Sequence, residues 1–262
     1  MKKKQKVKLK RVMALILALL SILAPCLSAI AFARASMSTH AESSSVSKKL
    51  PIYCVDTKGE KKVAITFDAA WGDEDAQQIR EILNKYQVKA TFFVVGDWVR
   101  KYPDLVKQFA EDGHDIANHS NKHPHVNNLS REAVEKDIMA AHEEIKKITG
   151  QECNLYRPPY GEYNETVLQA AENCKYYTIQ WDVDSIDWKG YDAPTIISKV
   201  LNHKHLGNGS IILLHNGTKH TAEALPQLIE GLKGKGYEIV PISQLIYKSN
   251  YDLDHEGRQI QK

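Results

Sequence analysis

The sequence predicts an α/β fold, with parallel strands on the inside, helices outside, and the sheet closed or nearly closed into a barrel. Three observations carry this. Short apolar, β-branched or aromatic runs alternate along the chain with amphipathic helical patterns. Seven or so strand runs can be counted, one short of a complete (β/α)8 barrel. Polar clusters recur at the C-terminal ends of these runs, where barrels and open α/β sheets build their sites. An open doubly wound sheet is the alternative.

The elements follow in order. Residues 2–11 hold six Lys and one Arg, and an apolar run then extends from residue 13 to about 33, broken by Pro25 and ending in Ala31-Phe32-Ala33. This is the layout of a signal peptide, and it is also nearly long enough to span a bilayer if uncut. Residues 1–35 are therefore a cleaved signal or an N-terminal membrane anchor, and both place the remainder outside the cytoplasm. Pro25 before Cys26 argues against a lipoprotein signal. Residues 36–60 read as a tether and domain entry. Strand runs fall at 63–67, 90–95, 115–118, 155–157, 176–182, 210–215 and 238–242. Helical patterns fall at 75–86, 103–111, 130–148, 165–172, 193–203 and 222–235. The pattern at 130–148 opens on a Ser130 cap and closes before Gly150. Residues 61–247 form one domain large enough for a full core, and 248–262 read as a loose polar tail.

Charge excludes one class. The formal net charge of +3 is set by the N-terminus; residues 36–262 hold 27 basic and 32 acidic residues, a formal −5. Such a domain has no electrostatic footprint for nucleic acid. Three cysteines lie beyond the leader (Cys54, Cys153 and Cys174), and no Cys-x-x-Cys spacing occurs, which argues against a cysteine-held zinc. Cys153 and Cys174 precede successive strands and could lie close together.

Five clusters carry candidate chemistry. His119 and His123, with three residues between them, can point at one metal ion, imidazole being the commonest protein ligand for zinc. Asp68 ends the first long strand, Arg157 opens Arg-Pro-Pro-Tyr-Gly, Asp184 to Trp188 follow the fifth run, and His215 ends Leu213-Leu214-His215. Each has a plainer reading: a helix cap, an ion-pair partner, a core histidine. Their shared address at strand ends favours a metal-assisted hydrolase. No Gly-x-Ser-x-Gly elbow points to a serine esterase.

These ordered motifs, beginning with Thr66-Phe67-Asp68-Ala69-Ala70-Trp71-Gly72, resemble the polysaccharide deacetylase family, carbohydrate esterase family 4 with its NodB homology domain, over about residues 61–247. The first motif is most similar to the sporulation-associated branch. The resemblance implies a distorted, incomplete (β/α) barrel that hydrolyses N-acetyl groups on cell-wall glycan. It implies Asp68 as general base, His119 and His123 as metal ligands, and Arg157 as the holder of Asp68. It implies the Tyr160 backbone N–H as an oxyanion donor and Asp187 as the partner of His215, the general acid. Trp188 and Leu213 would wall the acetyl pocket, and Trp181 and Tyr191 are candidates for a sugar groove. His114 and His125 read as supporting rather than ligating. The implied cofactor is a divalent metal, zinc first, with cobalt or nickel as alternatives.

One position departs from the family pattern. The aspartate that normally follows the base and ligates the metal is Ala69 here. Asp73 or Asp75 could supply a third ligand, two histidines could suffice, or hydrolysis could be lost. The chain is then a cell-wall N-deacetylase or a non-catalytic glycan-binding envelope or spore protein. A chitooligosaccharide deacetylase and a xylan O-acetyl esterase are further alternatives. The expected partners are the cell-wall glycan and, if the leader is uncut, the membrane; a monomer is expected, and no nucleic acid.

Overall fold

The computed structural model describes residues 49–262 apart from residue 153. The leader, with both its readings, and Cys153 lie outside the described residues. Within them no helix is long and apolar enough to cross a membrane.

The chain runs β1 (Cys54–Val55), β2 (Lys62–Ala69), α1 (Ala76–Lys85), β3 (Thr91–Val94), α2 (Gly96–Lys101), α3 (Pro103–Glu111), β4 (Asp115–Asn118) and α4 (Arg131–Thr149). It continues with β5 (Leu155–Tyr156), α5 (Glu165–Asn173), β6 (Tyr177–Thr178), β7 (Val183–Asp184), α6 (Ala193–Leu201) and β8 (Ile211–His215). It closes with α7 (Thr221–Gly234), β9 (Glu238–Ile239), α8 (Ile242–Leu245), β10 (Tyr251–Leu253) and β11 (Arg258–Gln261).

The main sheet has the order β6-β5-β4-β3-β2-β8-β7, with β9 also pairing β2, and every pairing in it is parallel. Of the expected strand run at 176–182 only Tyr177–Thr178 forms a strand, β6, and a second strand, β7, begins just past the run at Val183. Thr178 ends β6 at one edge of the sheet, and Val183 begins β7 at the opposite edge. Five residue steps can reach at most about 18 Å. The two edges must therefore lie close together, and the sheet curls into a distorted, incompletely closed barrel. Ile52 bridges to Ile179 at this opening, through Ile52 N–H to the Thr178 carbonyl (2.9 Å) and Gln180 N–H to the Ile52 carbonyl (2.7 Å).

Strand alternation sorts β2 between two cores. Val63, Ile65, Phe67 and Ala69 join the larger apolar cluster with the outer helices, where Phe67, Phe92 and Phe109 stack in series. Ala64 joins the smaller inner cluster with Phe93, Ala117, Ile179 and Ile211. The helix α4 matches its signals: Ser130 Oγ accepts the Ala133 N–H, and Gly150 ends it at φ 69°.

Residues 248–262 are not a loose tail. β10 and β11 form an antiparallel hairpin, and β11 pairs in parallel with β1. The side chain of Gln259 is fully buried and bonds both ways to Tyr247, accepting its N–H (2.7 Å) and donating to its carbonyl (2.6 Å). Polarity misled here because the hairpin is held by backbone pairing and a buried amide rather than by an apolar run. Cys54 and Cys174 are free thiols.

Candidate active site

Register builds the site. Asp68 and His215 are direct partners on the neighbouring strands β2 and β8. Asn118 pairs with Val94 on one side and Tyr156 on the other, so His119 and Arg157 leave adjacent strand ends together. A cleft of about 450 Å³ opens there, lined by Asp68, His119, His123, Tyr160, Trp188, Leu213 and His215, and also by Trp71, Gly161, Trp181 and Asp184.

Asp68 is almost wholly buried. Arg157 Nη1 donates to Asp68 Oδ1 (2.7 Å) and to Thr66 Oγ1 (2.9 Å), while Nη2 donates to the Gln180 carbonyl (3.1 Å). The guanidinium lies over the Phe93 ring (4.0 Å) and is itself fully buried. Burial alone would raise the Asp68 pKa, but the Arg157 guanidinium above all outweighs it and holds the carboxyl below its usual range.

The histidine loop is shaped by its own backbone. Asn118 Oδ1 accepts the Ser120 N–H, and Ser120 Oγ accepts the His123 N–H, both at 2.8 Å. Asp137 Oδ2 accepts the Asn121 N–H (2.9 Å). Ser120 (φ 75°) and His123 (φ 56°) both adopt left-handed backbone, a strain that functional loops often store. The two imidazoles meet edge to face, 4.9 Å between centroids. His119 Nδ1 is 2.8 Å from the Arg157 carbonyl, which makes Nδ1 the protonated nitrogen and leaves Nε2 with a lone pair, 3.5 Å from Asp68 Oδ2. Burial pushes the His123 pKa down to about 4, so this ring is neutral at ordinary pH.

The opposite wall holds the second acid–base group. Asp187 Oδ1 contacts His215 Nδ1 (2.8 Å), and Asp187 Oδ2 accepts both the His215 N–H (2.8 Å) and the Thr221 hydroxyl (2.6 Å). Burial opposes charge on His215, but the hydrogen bond and charge of Asp187 prevail and raise its pKa.

Two imidazoles are suited to a divalent cation: one has its Nε2 lone pair fixed, and the other is neutral. Among the described residues, however, no group of three or more His, Cys, Asp or Glu is placed to hold a metal. Ala69 is a fully buried methyl in the helix-side cluster. Neither proposed replacement reaches the pair. Asp73 is exposed and outside the cleft lining, and Asp75 turns away to accept the Gly217 N–H (2.6 Å). The fit is to a two-imidazole site completed by water or substrate oxygens, short of the three protein ligands usual for catalytic zinc.

The two histidines flanking the pair have partners of their own. His114 accepts the Ala90 N–H among Phe92 and Phe109, and His125 stacks on Tyr160 and pairs with Glu162. Tyr160 adopts φ 59° with its ring at the cleft mouth, and Trp188 stands exposed there. Sequence reasoning missed two residues. Trp71 packs against His123 (5.2 Å) while 59% exposed; an indole two positions beyond a strand end was the available signal. Thr221, the hydroxyl on Asp187, has no such signal, because only tertiary packing brings α7 to that carboxylate.

Comparison with known proteins finds relatives of this chain and of its fold. A family model described as "Polysaccharide deacetylase" matches residues 55–179. The peptidoglycan-N-acetylmuramic acid deacetylase PdaA of Bacillus subtilis is 34% identical over 206 residues, 77% of each chain. An uncharacterized B. subtilis protein, YlxY, is 38% identical over 70% of this chain, which spans 57% of that relative's length. Among solved structures, wild-type BA3943 of Bacillus anthracis, described as a CE4 family pseudoenzyme, has a TM-score of 0.72 at 32% identity, covering 81% of this chain and 73% of its own. A mutant of it described as having restored enzymatic activity also scores 0.72, at 34% identity over 76% and 72%.

Proposed function

The chain belongs to the polysaccharide deacetylase family, and from that premise we propose that it hydrolyses N-acetyl groups on peptidoglycan-type cell-wall glycan outside the cytoplasm. One observation carries the reading. Asp68 and His215 face a single cleft, each with its own buried partner, and the partners act in opposite senses: Arg157 favours an ionised Asp68, and Asp187 favours a protonated His215. A hydrolase needs that division of labour.

In this reading the substrate amide lies between the two groups. Asp68 takes a proton from the attacking water, and Arg157 keeps it ionised and oriented. The Tyr160 backbone N–H stabilises the negative charge that develops on the carbonyl oxygen. His215 then donates its proton to the departing amine, and Asp187 stabilises the imidazolium beforehand. Leu213 and Trp188 enclose the acetyl methyl and exclude water. His119 and His123 would hold a divalent metal, zinc first, which when bound supplies electrophilic polarisation and a more acidic water. Export by the N-terminal segment, residence at the wall or membrane, a monomeric state and membership of the sporulation-associated branch complete the proposal.

A second reading has its own support. Ala69 leaves two metal ligands, and a pseudoenzyme has the same architecture. A non-catalytic protein would use the cleft only to bind glycan. Acetate release from N-acetylated peptidoglycan fragments by the full chain, metal-stripped and then supplied with zinc, cobalt or nickel, separates the two. Metal-dependent release establishes the deacetylase. Glycan binding without release under any metal establishes the binding protein.

A further inference from the structure

Beside the cleft lies a second cavity of about 440 Å³, and Trp71, Trp188 and His215 line both. Its far side is formed by Gly190, Thr218 and Lys219. Among the described residues, the three most exposed large apolar side chains are Trp71 (59%), Trp188 (56%) and Tyr160 (55%), and all three border the cleft. Indoles so exposed beside a concave surface mark a binding face.

The walls are preorganised. The Asn216 side chain donates to the Gly72 carbonyl (2.7 Å), which also receives the Trp98 indole N–H (3.1 Å). Asp75 accepts the Gly217 N–H. Gly217 has φ 69°, and a Cβ there would sit 3.2 Å from the Gly72 nitrogen. The loop carrying Trp71 is thus clamped to the loop carrying Lys219.

The charges in the cavity are unequal in their freedom. Asp187 is buried and engaged by His215 and Thr221. Lys219 is exposed and, among the described residues, makes no ion pair. Lys189 lies over the Trp188 ring (5.0 Å) and adds positive potential at the same rim.

Building on the glycan reading above, we propose that this cavity binds the neighbouring sugar of the strand between Trp71 and Trp188, and that Lys219 selects a carboxylate-bearing substituent on that sugar. Apolar C–H faces of a pyranose suit the indoles. A free ammonium at the rim has a partner only if the substrate brings an anion. On a wall glycan this is a lactyl carboxylate or a peptide-stem carboxylate; a chitin-type sugar has neither.

Calorimetric binding to the full chain tests this, with three probes: N-acetylglucosaminyl-N-acetylmuramic acid, the same disaccharide carrying its peptide stem, and N,N′-diacetylchitobiose. An acidic probe should bind about three- to fivefold tighter than chitobiose at low salt, the scale of an exposed ion pair. Lys219→Gln should erase that preference and leave chitobiose unchanged, Lys219→Arg should keep it, and Trp71→Leu should weaken all three probes. Preference for the peptide-free acidic disaccharide identifies the lactyl carboxylate, and preference for the peptide-bearing one identifies the stem. Equal binding of all three, or a preference that survives Lys219→Gln, overturns the inference and leaves the deacetylase reading intact. No binding of any probe overturns both.

Discussion

Asp187 grips His215 twice: its Oδ1 lies 2.8 Å from the His215 Nδ1, and its Oδ2 accepts the His215 backbone N–H at 2.8 Å. One carboxylate thereby fixes the ring's tautomer, its orientation and the end of its strand. Nε2 is left for the cleft.

The charge state of His215 follows. Its folded pKa is raised, so the protonated acid persists above the ordinary histidine value and is lost as pH rises through the folded pKa. Acetate release should fall on the alkaline side along that limb. Asp187→Asn should move the limb to lower pH and reduce kcat by about 10²-fold or more. An unmoved limb in the pH–rate profile would refute the pairing.

Asp68→Asn should abolish hydrolysis while leaving metal binding at His119 and His123 in place. Arg157→Ala should be the more damaging to the fold, since it leaves the Asp68 carboxylate buried without its partner. Breaking such a pair costs roughly 3–5 kcal/mol. Asp68 is depressed in the folded state, so its contribution is present above the unfolded pKa and fades as pH falls through the folded one. Denaturant melts of both variants from pH 7 down to pH 3 measure this.

His119→Ala or His123→Ala should lower zinc affinity and acetate release together. Ala69→Asp should raise zinc affinity. In metal-free protein it should cost about 1–3 kcal/mol, because the residue is fully buried against the helix-side cluster. Thermal melts with and without zinc should show the loss reversed by metal. A variant that zinc does not restabilise would mean that strand alternation keeps the carboxylate from the histidines.

Gly209→Ala should destabilise the domain by more than about 1 kcal/mol. Its φ is 83°, and a Cβ would fall 1.7 Å from the Val55 carbonyl oxygen. For a domain of this size each kcal/mol lowers Tm by about 2–4 °C.

Deleting residues 250–262 should lower Tm as well, by removing β11 from β1 and with it the buried Gln259 amide that satisfies the Tyr247 backbone. An unchanged melt would mean that the hairpin adds nothing to the fold.

The sequence by itself determined the alternation of strands and helices, the parallel sheet, the Ser130 and Gly150 ends of α4, and the placing of Asp68, His119, Arg157 and His215 at strand ends. These are local signals: a hydrophobic period, a cap, or a reactive side chain at a strand end. Tertiary structure alone decided the rest. Parallel register set Asp68 beside His215, and the crossing from β6 to β7 joined opposite edges of one sheet. Packing turned Asp75 to Gly217 instead of to the histidines, and brought Thr221 to Asp187. Pairings between distant segments decide these features, and their energies depend on which backbone groups and side chains meet in space, which no local stretch of sequence encodes.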